Sequence, residues 1–211
     1  KNDNLDLNIL AVQAKENANL EHHRAWMAEG LKTDIGALIE EAHQMEASFT
    51  TGDLEALMNY AERAKGRWET FPIVGDGVIV ELGTFKGGTT WFLATMFPGS
   101  RIITVDEHWP PYIEIFPDNV RFYHCKTDQA SQYIKEAGFV LVDAGHEEQD
   151  VISDIEHWGP KVKIGGYIAF HDVNWPSVES GIKKALPQEF ELVEKTISTQ
   201  LWVYQLTDDK Q

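Results

Sequence analysis

The sequence is poor in cysteine and in basic residues, and both shortages limit what the protein can be. Cys125 is the one cysteine among 211 residues, so no disulfide can form within the chain, which suits a reducing environment. Lys and Arg number 18 against 34 Asp and Glu, which gives a formal net charge of −16. Such a charge repels phosphate backbones and anionic lipid surfaces, so neither nucleic acid nor a membrane is an expected partner.

Long apolar segments are also missing. No apolar run reaches the length of a membrane span, and the first residues do not have the pattern of a signal peptide. We therefore expect a cytoplasmic protein. Its length predicts one domain, or one domain with an appended segment.

Two common nucleotide-binding motifs are absent. No P-loop pattern occurs, and the dinucleotide fingerprint G-x-G-x-x-G would need a glycine where Phe85 stands, which argues against a nicotinamide dehydrogenase. What is present is an apolar strand over 78–82, a turn containing Gly83, and residues from Thr89 onward that can continue as a helix. A strand, a glycine turn and a helix N-terminus form a nucleotide-binding corner in α/β folds.

The hydrophobic pattern divides the chain near residue 70. Apolar residues at helical spacing predict helices over 35–45 and 54–68, with a less regular one over 20–31. A stretch rich in proline and glycine follows at 71–77. We predict an N-terminal helical segment over 1–70, acting as a lid or an oligomerisation surface, and a second unit over 71–211.

Strands and helices alternate throughout the second unit. The strands are predicted at 78–82, 101–106, 120–124, 139–143 and 163–170, and extended runs at 190–193 and 201–206 close the chain. Helical patterns fall between them, including 129–136, 147–158 and a helix that begins at Pro176. This alternation predicts a doubly wound, mostly parallel α/β sheet with an antiparallel strand near one edge.

Acidic residues follow the second and third strands. Asp106 lies 19 residues beyond Gly87, the usual spacing for an acid that accepts hydrogen bonds from the ribose hydroxyls of a bound nucleotide. An ordinary turn acid would also fit there. Asp128 is a candidate for the adenine side of such a ligand, and a helix N-cap explains it nearly as well.

Two acids and two histidines follow the fourth and fifth strands, namely Asp143, His146, His171 and Asp172. The carboxyl ends of parallel strands meet at one edge, so these side chains should converge there. Asp143, His171 and Asp172 form a candidate site for a divalent cation, which could lower the pKa of a substrate hydroxyl. His146 is the candidate general base, because a neutral imidazole can accept a proton near neutral pH. In the alternative interpretation, one acid caps a helix and one histidine packs in the core.

The glycine corner, E-x-G-x-x-x-G-G-T over 81–89, resembles motif I of the class I S-adenosylmethionine-dependent methyltransferases. The segment 142–172 is similar to bacterial small-molecule methyltransferases that include the macrolide-sugar O-methyltransferases, and the resemblance covers about residues 78–186. It implies a seven-stranded Rossmann-like sheet, S-adenosylmethionine as cofactor, and Mg²⁺ or another divalent cation. In metal-dependent members the first acidic ligand corresponds to Asp143 and the base to His146, whereas His171 stands where those members have Glu.

The resemblance also implies a set of cofactor contacts, in which Glu81 would receive the ammonium group of the methionine part. The set is Glu81, Gly83, Thr84, Phe85, Gly87, Thr89, Asp106, Asp128 and Asp143. The expected function is methyl transfer to a hydroxyl of a small molecule, assisted by a divalent metal, in a protein that could form a homo-oligomer. Two alternatives stay open: a metal-independent methyltransferase of the same fold with His146 or His171 as base, and a non-catalytic S-adenosylmethionine-binding protein.

Overall fold

A computed structural model of the chain describes residues 35–45, 47, 49–66, 77–195 and 200–207, which contain a seven-stranded sheet. The strands are Val78–Leu82 (β1), Arg101–Asp106 (β2), Val120–His124 (β3), Ala137–Val142 (β4), Val162–Phe170 (β5), Phe190–Lys195 (β6) and Trp202–Leu206 (β7). Their order is β3-β2-β1-β4-β5-β7-β6, with β1 to β5 parallel and β7 antiparallel to both β5 and β6. The predicted doubly wound, mostly parallel sheet is confirmed.

The register of the strands brings their carboxyl ends together. Every residue of β4 is buried, as expected for a parallel strand that is covered on both faces. Leu82 pairs with Val105 on β2 and with Val142 on β4, and Val142 pairs with Phe170 on β5. The residues that follow these four strands therefore lie side by side along one edge of the sheet.

Helices cover both faces of the sheet. They are Ile35–Gln44 (α1), Thr51–Gly66 (α2), Gly88–Met96 (α3), Thr127–Ala130 (α4), Glu148–Trp158 (α5) and Pro176–Ala185 (α6). None of these described helices is long and apolar enough to cross a membrane. The first three share a buried cluster with strand residues such as Ile79 and Phe139, and the last three share another with Val80 and Val140. Successive strand residues point to opposite faces, so each strand contributes to both clusters.

The helices predicted over 35–45 and from residue 54 are confirmed as α1 and α2. Leu54 and Leu57 of α2 are fully buried in the cluster that α1, α2 and α3 form with the sheet. The described part of the N-terminal segment therefore belongs to the core of the sheet. The helix predicted over 20–31 and the boundary at residue 70 lie outside the described residues, so the division of the chain at that point stays a prediction.

The helix predicted over 129–136 is shorter than expected. Only α4 and a single 3-10 turn at Ser131–Tyr133 form there. Ile134 is already extended and buried, because the chain turns inward to enter β4 at Ala137. The prediction of a full helix was therefore wrong.

Candidate active site

The loop after β1 makes a sharp turn that depends on Gly83. Its φ of 93° lies in the left-handed region, and a Cβ built on it would lie 2.1 Å from the backbone oxygen of Asp143. Any side chain here would therefore collide with the chain that leaves β4. The backbone N–H groups of Thr84 and Phe85 donate to Asp106 Oδ2, at 3.0 and 2.9 Å. The glycine corner is thus fixed against the ends of both neighbouring strands.

Asp106 uses much of its hydrogen-bonding capacity on this loop. Besides the two bonds to Oδ2, its Oδ1 accepts the backbone N–H of His108 at 2.8 Å. A carboxylate offers about four acceptor positions, so roughly one stays open to a ligand. The Asp106 side chain is 15% exposed. The predicted hydrogen bond to a ribose hydroxyl fits this position and stays a prediction.

A cavity of about 630 Å³ opens over the carboxyl ends of the strands. Its volume is in the range of small-molecule binding sites, which span roughly 300–1,000 Å³. Among the residues predicted from the sequence, those on its wall are Gly83, Phe85, Asp106, Asp128, Asp143, His146 and Asp172. Five other residues predicted from the sequence do not line the cavity: Glu81, Thr84, Gly87, Thr89 and His171.

Glu81 is buried beneath the glycine corner. It is 1% exposed and accepts hydrogen bonds from the hydroxyls of Thr90 and Thr104. Burial raises the pKa of Glu81 to about 8. Because side chains alternate along β1, Glu81 points away from its neighbour Leu82, into the layer of α3. This geometry does not support the predicted contact with the ammonium group of the cofactor.

His146 and Asp172 form a hydrogen-bonded pair at the other end of the cavity. The Nε2 atom of His146 lies 2.7 Å from Asp172 Oδ2. Hydrogen bonding from His171 lowers the pKa of Asp172, so Asp172 is an ionised acceptor and the His146 Nε2–H donates. A neutral His146 then has no proton on Nδ1, which can accept one. Asp172 holds this position with a φ of 53°, an uncommon backbone conformation.

His171 lies among three carboxylates. Its Nδ1 is 3.0 Å from Asp143 Oδ1 and 3.5 Å from Asp172 Oδ2, and its Nε2 is 3.7 Å from Asp53 Oδ2. Burial alone would lower the pKa of His171, but hydrogen bonds to Asp143, Asp172 and Asp53 raise it to about 11. Both ring nitrogens therefore face carboxylates, and the prediction that His171 is a metal ligand does not fit.

A different histidine completes the group that could hold a metal. Asp143, His146 and Asp172 offer ligand atoms that all lie within 4.8 Å of one another, and no other such group occurs among the described residues. Two carboxylates and an imidazole are a donor set that suits several divalent cations. Asp143 and Asp172 belong to this group, and His146 lies where the sequence analysis expected His171; the metal site itself stays a prediction.

The sequence interpretation gave no role to three residues near these groups. Asp53, at the start of α2, and Phe49, in the loop before α2, contact His171, and the Phe49 ring stacks on the His171 ring with centroids 4.0 Å apart. Asp154 lines the cavity, is 2% exposed, and has its pKa raised to about 6 by burial. Asp154 could have been found from the sequence, because it is an acid on the apolar face of α5, between Val151 and Trp158. Asp53 could not be recognised in this way, because its sequence context is that of an ordinary helix-capping residue.

Comparison with known proteins agrees with this architecture. Residues 80–173 match the family model described as "Methyltransferase domain". The structure is similar to that of CalS11, a TDP-rhamnose 3'-O-methyltransferase of calicheamicin biosynthesis, with 15% identity over 91% of this chain and 94% of that one, at a TM-score of 0.61.

Two further solved structures are similar. The O-methyltransferase NovP shares 16% identity over 74% of this chain and 79% of its own, at a TM-score of 0.58. The MycE methyltransferase of the mycinamycin pathway, solved with Mg, S-adenosylhomocysteine and mycinamycin VI, shares 14% identity at a TM-score of 0.51. That match covers 70% of this chain and 53% of MycE. Residues 80–173 therefore match a methyltransferase domain, and the solved structures share the fold of this chain.

Proposed function

We propose that the protein transfers the methyl group of S-adenosylmethionine to a hydroxyl of a small molecule. The observation that carries this proposal is one cavity with the glycine corner and Asp106 on its wall together with the His146–Asp172 pair. The glycine corner and Asp106 suit a nucleoside, and the His146–Asp172 pair suits the removal of a proton from an acceptor hydroxyl. CalS11 and NovP, both O-methyltransferases by name, share the fold.

The cofactor would lie along the wall that Gly83, Phe85 and Asp106 form. Its ribose would be next to Asp106, and its adenine would reach towards Asp128 and Asp154, which line the same cavity. The sulfonium would then point towards Asp143 and His146. This arrangement leaves the acceptor to enter beside Trp175, whose ring centroid is 5.0 Å from that of His146 and which is 50% exposed.

The reaction needs alignment and the removal of one proton. The acceptor oxygen attacks the methyl carbon, the carbon–sulfur bond breaks, and S-adenosylhomocysteine leaves as a neutral sulfide. The hydroxyl proton passes to Nδ1 of His146. Asp172 holds the ring through Nε2 and stabilises the imidazolium that results. Holding both reactants in line accounts for much of the remaining rate enhancement.

A divalent cation fits the donor set of Asp143, His146 and Asp172. When bound, it would lower the pKa of the acceptor hydroxyl. One observation favours the metal-independent alternative: His146 and His171 already lie within hydrogen-bonding distance of Asp172 and Asp143, at 2.7 and 3.0 Å. Both carboxylates therefore already have a hydrogen-bonding partner, and His171, whose pKa is raised to about 11, supplies positive charge that a cation would otherwise supply.

Removal of metal separates these two mechanisms. With a metal-assisted reaction, we expect methyl transfer to stop in EDTA and to return with Mg²⁺ or Mn²⁺. The variant Asp143→Asn should lose that recovery and still bind S-adenosylhomocysteine. Full activity of the wild type in EDTA would assign the metal-independent mechanism.

The proposal itself is tested in two stages. Calorimetry should detect binding of S-adenosylhomocysteine, and saturation at about 100 times the Kd should stabilise the fold by about 2.7 kcal/mol. The protein is then incubated with methyl-labelled S-adenosylmethionine and a panel of glycosides, nucleotide sugars and phenols. The absence of binding would contradict the proposal. Binding without transfer to any acceptor would favour the non-catalytic alternative.

A further inference from the structure

We propose that Asp53, at the start of α2, is a positioning residue that holds the His171 ring, and through it Asp143 and Asp172, in the arrangement that methyl transfer requires. This inference rests on the proposed function. It extends the active site to an N-terminal helix that lies outside the matched methyltransferase region of residues 80–173.

The environment of Asp53 is unusual for an acid. Its side chain is fully buried, and Oδ2 lies 3.7 Å from Nε2 of His171. The other oxygen, Oδ1, makes no hydrogen bond to any described residue. A buried acceptor without a partner is costly, and a buried charge is tolerated mainly next to an opposite charge. The imidazole of His171 is the group that this carboxylate faces.

Phe49 acts on the same ring. Its ring stacks on that of His171 with centroids 4.0 Å apart and an angle of 23° between the planes. The stack fixes the plane of the imidazole, and Asp53 fixes its rotation within that plane by attracting Nε2. Nδ1 is then directed at Asp143 and Asp172, at 3.0 and 3.5 Å.

The contacts form a continuous series that ends at the proposed base. Asp53 faces His171, His171 faces Asp143 and Asp172, and Asp172 Oδ2 accepts from His146 at 2.7 Å. A change in the tilt of the His171 ring would therefore alter the position of Asp172, and with it the direction of His146. This is how a residue outside the cavity acts on the reaction.

Helix capping is the competing explanation for Asp53. Thr50 donates to Asp53 Oδ2 through its backbone N–H at 3.0 Å and its hydroxyl at 2.6 Å, and the Asp53 N–H donates back to the Thr50 hydroxyl at 3.2 Å. This is a capping box, which stabilises the first turn of a helix. It involves Oδ2 alone and gives no reason for the position of His171.

Three variants separate the two roles. Asp53→Asn keeps the size of the side chain and an acceptor for the Thr50 N–H, but removes the charge next to His171. Thr50→Ala is the matched control, since it removes the hydroxyl of the capping box and leaves the carboxylate in place. Asp53→Glu keeps the charge and places at this position the residue that capping boxes favour.

The kinetic test compares these variants in the full-length protein. For Asp53→Asn we expect kcat to fall about 10–100-fold, the usual cost of removing a residue that supports an active-site group, with the affinity for S-adenosylhomocysteine unchanged. Asp53→Glu should recover most of kcat. Thr50→Ala should lower Tm and leave kcat at the wild-type value. If Asp53→Asn lowers only Tm, Asp53 is a capping residue and the proposal is wrong.

A second readout does not depend on activity. In ¹H–¹⁵N spectra of the imidazole region, assigned with His171→Gln, the Nε2–H signal of His171 should be protected from exchange in the wild type and in Thr50→Ala. It should be lost in Asp53→Asn. Retention of this signal in Asp53→Asn would overturn the proposal even if no methyl acceptor were found. Should Asp53→Asn fail to fold, Asp53→Ser takes its place, because it also removes the carboxylate next to Nε2, and retention of the Nε2–H signal there would equally overturn the proposal.

Discussion

Among single residues, Glu81 should control how the stability of the fold depends on pH. Burial raises its pKa from 4.5 to about 8. Between these values the folded protein keeps a proton that the unfolded chain has lost. The stability that this proton contributes is therefore fully present below pH 4.5 and falls as the pH rises to about 8, at up to about 1.4 kcal/mol per pH unit.

The variant Glu81→Gln tests this pH dependence. The neutral amide removes the titration, so the fall in the free energy of unfolding with pH should be shallower than in the wild type. Urea unfolding at several pH values between about 5 and 8 measures it, and exposed Glu156 of α5, changed to Gln, is the matched control. Equal pH slopes in the wild type and Glu81→Gln would show that Glu81 ionises normally in the fold.

His146 is the residue on which the proposed chemistry depends. His146→Ala removes the group that accepts the hydroxyl proton, so kcat should fall by about 10²–10⁴, with little change in the Kd of S-adenosylhomocysteine. Steady-state kinetics and calorimetry measure the two effects. His157→Ala is the control, because His157 is exposed on α5 and does not line the cavity. A wild-type kcat in His146→Ala would remove His146 from the mechanism.

At the scale of secondary structure, the corner between β1 and α3 leaves no room for a side chain at Gly83. Gly83→Ala should strain the left-handed turn at a cost of about 1–3 kcal/mol and push the chain at Asp143 away. We expect a lower Tm together with weaker S-adenosylhomocysteine binding. Gly159→Ala is the matched control, since a Cβ there would meet only ordinary contacts at 4.0 Å. Similar changes in both variants would argue against a special role of the corner.

Strands that consist of a short apolar run with clear boundaries were predictable from the sequence. Apolar runs bounded by glycine or acids placed β1, β2 and β3 with the bounds that the structure shows. The helix predicted over 129–136 failed, because local spacing does not reveal that Ile134 is needed in the core under β4. Tertiary burial overrode the helical pattern there.

At the scale of the whole molecule, the sequence predicted which strand ends meet but not how their side chains pair. The parallel order alone brings Asp106, Asp143 and Asp172 to one edge. The choice between His146 and His171 depended on Asp53, which lies far away in the chain and has an ordinary capping pattern. Contacts between distant segments are the part that a single sequence does not reveal. The expected absence of nucleic acid and membrane partners, and the homo-oligomer, stay predictions.

The single cysteine of the chain provides a natural reporter on the cavity. Cys125 lies on the cavity wall beside Asp128, and no other thiol in the sequence would compete for a label. Burial raises the pKa of its thiol, so alkylation should be slow near neutral pH and faster in mild alkali, where more thiolate forms. A bound nucleoside should shield it, so mass spectrometry of iodoacetamide-treated protein would measure ligand occupancy in the unmodified wild type. Equal labelling with and without S-adenosylhomocysteine, at concentrations where calorimetry shows binding, would place the adenine elsewhere.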